Sequence, residues 1–165
     1  MADWARQGIL QLKRWLPNRL IVADASFAVI ELIAAVRRHV CFVTRLRLDA
    51  NLFEPPPEPR PGQRGRPRKK GRKLPKLTQV LTDKATVWTS IMMSEWYGGK
   101  RCRLEITTGT AIWYHGGLPP LPIRWVLVRD PSGIRKPQAF LCTDLNATPA
   151  AILGWFVHRL SLIHI

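Results

Sequence analysis

The sequence predicts an α/β chain: a parallel strand-helix-strand unit near the start, a β-rich half after it, a closing hairpin and helix, and a long basic loop between the two halves. Three observations carry this prediction. Leu20-Ile21-Val22-Ala23 is an aliphatic run with the two-sided character of a buried strand, and it ends on Asp24. Ala28, Ile30, Leu32, Ile33 and Val36 then recur at helical spacing, before Val40-Cys41-Phe42-Val43-Thr44 returns to β-branched and aromatic residues. From Thr78 onward the chain reads as β, until Thr148-Pro149 opens a last apolar helix.

Taken in order, Asp3 to Trp15 places Trp4, Ile9, Leu12, Trp15 and Leu16 at mostly three- and four-residue spacing with basic residues between, which predicts an amphipathic helix. Pro17-Asn18 stops it. The strand 20–23, a helix over 26–38 and the strand 40–44 make a right-handed βαβ unit, so these two strands should be parallel. Asp24 sits at the junction of the first strand and its helix. A carboxylate at the carboxyl end of a strand is placed to hold a cation, and an Asp or Ser before a helix most often caps it; the residues alone leave both roles open.

Residues 51–76 change character. PPPEP is followed by RPGQRGRPRKKGRK, with almost nothing apolar, so no core forms there and a mobile excursion is expected. Arg60, Arg64, Arg66, Arg68, Lys69, Lys70, Arg72, Lys73 and Lys76 fall within it with no acidic residue between them, more than half of the net charge of +15. These nine are the candidate DNA-binding residues. Arg64-Gly65-Arg66-Pro67 is similar to the core of an AT-hook, so minor-groove contact stands beside sequence-neutral phosphate contact.

In the β half, Ala85 to Met93 is strand-like and Glu95-Trp96-Tyr97-Gly98-Gly99 turns. Arg101 to Thr107 alternates, with Cys102, Leu104 and Ile106 on one face, and Thr110 to His115 reads as a further strand ended by Gly116-Gly117-Leu118-Pro119-Pro120. Ile123–Arg129 and Gln138–Thr143 flank Asp130-Pro131-Ser132-Gly133 and predict an antiparallel hairpin. The final helix runs to Arg159, after which Leu160 to Ile165 carries no cap.

Composition narrows the partners. Lys and Arg outnumber Asp and Glu 26 to 11 in 165 residues, so one domain, or one with an excursion, faces a polyanion. No apolar run approaches the roughly 20 residues that cross a bilayer, and the start carries no signal peptide, so a cytoplasmic protein without membrane contact is expected. Cys41, Cys102 and Cys142 are scattered through apolar runs and read as reduced core thiols rather than zinc ligands. No phosphate loop, nucleophile elbow or HExxH is present. Of the other acids, Asp144 reads as a turn or cap, Glu105 as a partner of Arg101 or Arg103 on a sheet surface, and Glu31 as a solvated helix charge. His115 with Trp113 and Tyr114 suits either base stacking or a core rim.

The blocks LIVADASFAVIELIAAVRRHVCFVTRLRLDA, RGRPRKKGRK, TVWTSIMMSEWYGGKRCRLEITTGTAIWYHGG, PLPIRWVLVRDPSG and PQAFLCTDLNATPAAILGWFVHR resemble, in order, a bacterial insertion-sequence DDE transposase of the DDE-superfamily endonuclease type. The resemblance implies a partial ribonuclease H-like core (the βαβ unit plus hairpin and final helix) with a β-rich insertion and a long disordered basic loop. Its implied divisions are a partial catalytic core over 1–44, a flexible arm over 45–84, the insertion over 85–122, the return to the core over 123–159 and an aberrant tail over 160–165. It assigns Asp24 as the second catalytic, metal-ligating Asp of an Mg²⁺-dependent enzyme that cleaves and joins DNA at transposon ends and in target DNA. It also implies a nucleoid-associated bacterial location and leaves a homodimer open for the complete transposase. The family's first Asp is expected upstream of Met1, and its Glu belongs near Ile163, where the tail reads as foreign or frame-shifted. A fragment that binds DNA without catalysis is therefore expected, with an unpaired sheet edge prone to aggregation. The competing expectation is a non-catalytic nucleic-acid-binding module in which Asp24 only caps a helix.

Overall fold

The computed structural model describes residues 2–12, 19–58, 62, 65–97 and 101–161. Their strands form one seven-stranded sheet in the order β1-β2-β7-β6-β5-β3, with β4 pairing β5 beside β3. The strands are β1 Arg19–Val22, β2 Val40–Leu46, β3 Leu52–Phe53, β4 Thr89–Met93, β5 Cys102–Trp113, β6 Leu121–Arg129 and β7 Gln138–Cys142. The helices are α1 Ala2–Leu12, α2 Ile30–Val36, α3 Leu77–Thr82 and α4 Pro149–Ser161.

The expected βαβ unit is present: β1 and β2 run parallel, Leu20 beside Cys41 and Val22 beside Val43. All other pairings are antiparallel, including β2 with β7 and the hairpin of β6 with β7. Asp130 makes the hairpin turn as its sequence predicts. Its carboxylate accepts from Ser132 N at 2.8 Å, its carbonyl accepts from Gly133 N at 3.0 Å, and Gly133 takes a φ of +72° that favours glycine.

Two apolar layers sandwich the sheet. On one face, Ile30, Leu32, Ile33 and Val36 of α2 pack with Phe42, Leu46, Ile123, Leu127 and Leu141, and Ile9 of α1 packs against this cluster. On the other, Ile152, Leu153, Phe156 and Val157 of α4 pack with Val43, Val126, Phe140 and Cys142. The strand alternation of β6 and β7 divides their side chains between these layers. Thr148 caps α4 as expected, its hydroxyl accepting from Ala151 N at 3.2 Å with Pro149 at the first helical position.

Four local expectations are corrected. The helix predicted over 26–38 starts at Ile30: Ala25–Phe27 forms a 3₁₀ turn, and Val29 is extended (φ −118°, ψ 121°). Of the residues at helical spacing, Ile30, Leu32, Ile33 and Val36 lie in the helix and Ala28 falls in the turn before it; Phe27 and Val29 are weak helix formers and pack against the core from outside the helix. The stretch read as β from Thr78 onward begins instead in a helical turn, Leu77–Thr82, held by Leu77 in the core and by the Gln79 side-chain oxygen accepting from Lys76 N at 2.9 Å. Trp4, expected on the apolar stripe of the first helix, is 78% exposed, and Trp15 and Leu16 of the same stripe lie outside the described residues. The two strands predicted at 101–107 and 110–115 are one, β5, running through Gly109.

Gly109 is a packing requirement rather than a break. It lies opposite Trp125 on β6, and a Cβ there would stand 3.1 Å from Cζ2 of that indole. Gly109→Val should therefore displace the ring and lower stability by roughly 1–3 kcal/mol, read as a fall in the urea midpoint with a shift in Trp fluorescence. An unaltered midpoint would show that the indole moves away freely.

A strand-end carboxylate and an anchored basic segment

Asp24 stands where β1 gives out. Ala23 N still donates to Val43 O at 2.9 Å, and the Thr44 hydroxyl donates to the Asp24 carbonyl at 2.8 Å, so the backbone at Asp24 is fixed to β2. The residue is extended (φ −77°, ψ 166°) and exposed, and its carboxylate accepts from Ala25 N at 2.9 Å, capping the 3₁₀ turn. Both roles left open by the sequence are thus compatible with one placement: a cap on its own turn and a carboxylate at the mouth of a parallel strand pair.

Strand alternation sets the face. Val22, two residues earlier, packs against the layer that includes α4. Within that layer Phe156 stacks on Phe140 with ring centres 4.7 Å apart, and Phe140 is the β7 partner of Arg45, near the end of β2. The later turns of α4 therefore lie over the end of the sheet that carries Asp24.

The other acidic residues resolve structurally. Asp144 accepts from Asn146 N at 2.9 Å and makes a turn. Glu105 takes neither Arg101 nor Arg103 but its cross-strand neighbour Arg129, at 2.7 Å, and that guanidinium also lies 4.0 Å from the centre of the Trp88 ring. Glu31 sits in the first turn of α2 and is exposed, where its charge favours the helix N-terminus. Among the described residues no three His, Cys, Asp or Glu side chains stand close enough to share a metal ion. Their donor set does not fit a pair of divalent cations, which needs several anionic oxygens between them.

The thiols are free. Cys41 and Cys142 have their sulfurs 3.5 Å apart; hydrogen bonding between them holds the Cys41 thiol below its usual pKa and pushes that of the buried Cys142 up. Burial raises that of Cys102.

The basic segment is tied down at its C-terminal part. Gly71 N donates to Glu54 O at 2.8 Å, Glu54 N to Arg72 O at 2.8 Å and Leu74 N to Leu52 O at 2.9 Å, so residues 71–74 lie along β3 where the composition predicts an unanchored loop. The anchors are mostly outside the basic run, which is why its own composition does not announce them. The Lys70 ammonium sits 3.8 Å from the Phe53 ring centre and 4.3 Å from that of Tyr114, and Arg72 pairs with Glu54 at 2.8 Å. Gly71 is required at this crossing, because a Cβ would meet Pro55 O at 2.6 Å.

Arg66, Arg68, Lys69, Lys73 and Lys76 are exposed, whereas Arg60 and Arg64 lie outside the described residues, and with them part of the AT-hook-like stretch. The ring of Tyr114, considered as a stacking platform, is engaged edge-to-face by Phe53 at 6.1 Å and capped by Lys70. Trp113 is half-buried against the core, and His115 remains exposed beside them. No helix of the described residues is long and apolar enough to cross a membrane.

Comparison with known proteins finds that residues 2–116 match a family model described as DDE superfamily endonuclease. No curated protein matches the chain.

Proposed function

The chain belongs to the DDE superfamily endonucleases, and from that membership we propose that it is part of a DNA transposase. In this reading it binds duplex DNA through the basic segment and contributes Asp24 as one carboxylate of a divalent-metal site. Family membership makes DNA the substrate class, and the mixed sheet with α2 and α4 on opposite faces is consistent with a ribonuclease H-like core. The divisions 1–44 and 123–159 as core, 45–84 as arm, 85–122 as insertion and 160–165 as an aberrant tail belong to the same proposal, as do Mg²⁺, transposon ends, a homodimer and a bacterial nucleoid location.

The observation that carries the DNA reading is the pinning of residues 71–74 along β3, which fixes exposed Lys73 at that strand and tethers the exposed Arg66, Arg68 and Lys69 that precede it. Cations tethered near a rigid surface meet phosphates at lower entropic cost than cations on a free chain. Asp24 supports the catalytic reading by its place at a strand mouth over which α4 lies. In the complete enzyme the metal would polarise the phosphodiester and activate the attacking oxygen. Among the described residues no three acidic, His or Cys side chains stand together to hold such a pair, so this chain alone is proposed to bind DNA without appreciable cleavage.

The test is a titration of a short duplex across a salt series. Replacing Arg66, Arg68 and Lys69 together by Gln should flatten the log-log salt slope by roughly 2 to 3 and weaken binding by about a hundredfold at low salt, with the thermal midpoint retained. An unchanged slope would contradict the role of the segment. Liposome binding that exceeds DNA binding at equal ionic strength would favour a membrane-surface protein instead.

A further inference from the structure

We propose that Arg45 is a phosphate-positioning residue, whose guanidinium takes a phosphodiester of a DNA strand lying across the ends of β1 and β2 beside Asp24. This rests on the reading of the chain as a DNA-acting endonuclease and assigns that site a contact outside the basic segment.

The placement follows from register. Val22 lies beside Val43 on the parallel pair, and the backbone bond from Ala23 to Val43 and the Thr44 hydroxyl bond to the Asp24 carbonyl continue it, so Arg45 is the β2 neighbour of Asp24. Val22 and Val43 both pack on the α4 side, and two residues further on Asp24 and Arg45 share that side by alternation. Arg45 also lines a cleft of about 200 Å³ together with Ala25, Leu46, Pro137, Gln138 and Ala139, between the end of β2, the start of β7 and the turn that Asp24 caps. The cleft is open and has room for one phosphate group.

Charge is the second argument. Arg47, on the same cleft, is closed on Asp49 by two bonds of 2.9 Å, Arg129 is closed on Glu105 and Arg72 on Glu54. Arg45 is half-buried, and no ion pair or hydrogen bond among the described residues engages its guanidinium. A guanidinium with no counter-ion among the described residues lowers its energy by taking an anion, and its planar fork matches two non-bridging phosphate oxygens. The nearest polyanion the chain is built to meet is a nucleic-acid strand crossing the sheet end.

The experiment compares the full chain with Arg45→Gln, Arg45→Met and Arg45→Lys in a duplex titration over a salt series, alongside the Arg66, Arg68 and Lys69 variant. Arg45→Gln should reduce the steepness of the log-log plot by about 0.9, the value of one phosphate contact, and weaken binding roughly fivefold to tenfold near 0.1 M salt. Arg45→Met, which keeps the aliphatic stem in its packing, should give the same loss, and Arg45→Lys should restore the slope because the charge is retained. A wild-type slope in both neutral variants overturns the proposal, as does an equal loss of affinity in all three at unaltered slope, which would mark a structural residue. If the wild-type chain fails to bind duplex, the DNA reading itself falls. If the basic-segment variant loses affinity while the Arg45 variants do not, only this inference does.

Discussion

In a protein that carries this chain together with the other acidic ligands of a DDE site, Asp24→Ala is expected to abolish Mg²⁺-dependent strand cleavage, by roughly a thousandfold or more, while duplex affinity stays nearly constant. The size follows from removing an anionic oxygen that several kcal/mol of transition-state charge stabilisation would depend on. The near-constancy of binding follows because Asp24, an anion, supplies no phosphate contact itself, while Arg45 and the exposed cations of the basic segment are all retained. Because Asp24 also caps the turn Ala25–Phe27, alanine alone confounds two losses. Asp24→Asn separates them: its side-chain oxygen still accepts from Ala25 N, so the thermal midpoint should be retained while cleavage is still lost. Were Asp24 a cap and nothing more, Asn would behave as wild type and Ala would cost about 1 kcal/mol of stability with cleavage undiminished.

The elements that the sequence announces are those whose chemistry is local. A continuous aliphatic run marks β1 and its partner β2, the Asp-Pro-Ser-Gly turn marks the β6–β7 hairpin, and a Thr-Pro pair marks the start of α4; each signal lies within the element or at its edge. What the sequence does not announce depends on residues distant along the chain. Glu105 pairs with Arg129 because the β5–β6 register sets them opposite, and no spacing on β5 reveals that register. Gly109 looks like a break until Trp125 is placed over it. The onset of α2 slips to Ile30 because Phe27 and Val29, half-buried, pack against the core from outside that helix. Composition marks the basic run as unable to build a core, but its attachment to β3 comes from backbone pairing and from rings at Phe53 and Tyr114, far apart in sequence. Asp24 is visible as a strand-end carboxylate, whereas its neighbour Arg45 becomes notable only once the parallel register and the cleft are known.

Phe140→Ala should carry the largest stability penalty of any single substitution considered for this fold, roughly 3–5 kcal/mol. Phe140 is fully buried at the centre of the α4 layer, stacked on Phe156 at 4.7 Å and edge-on to Trp96 at 6.2 Å. Truncation removes the apolar transfer energy of the ring and leaves a cavity that two rigid strands on either side, β2 and β6, cannot close. Against a total stability of about 5–15 kcal/mol for an ordinary domain, that loss takes a large fraction, so the urea midpoint should fall sharply with little change in slope. Phe140→Leu, which retains most of the volume, should cost less than half as much. The substitution also tests how the two ends of the proposed site are joined, since the α4 layer that covers the sheet end at Asp24 rests on this ring, while the basic segment is held by β3. Below its lowered midpoint the Phe140→Ala protein should keep the salt-dependent DNA binding of the wild type, and loss of both together at low temperature would mean that the segment depends on the α4 layer for its attachment.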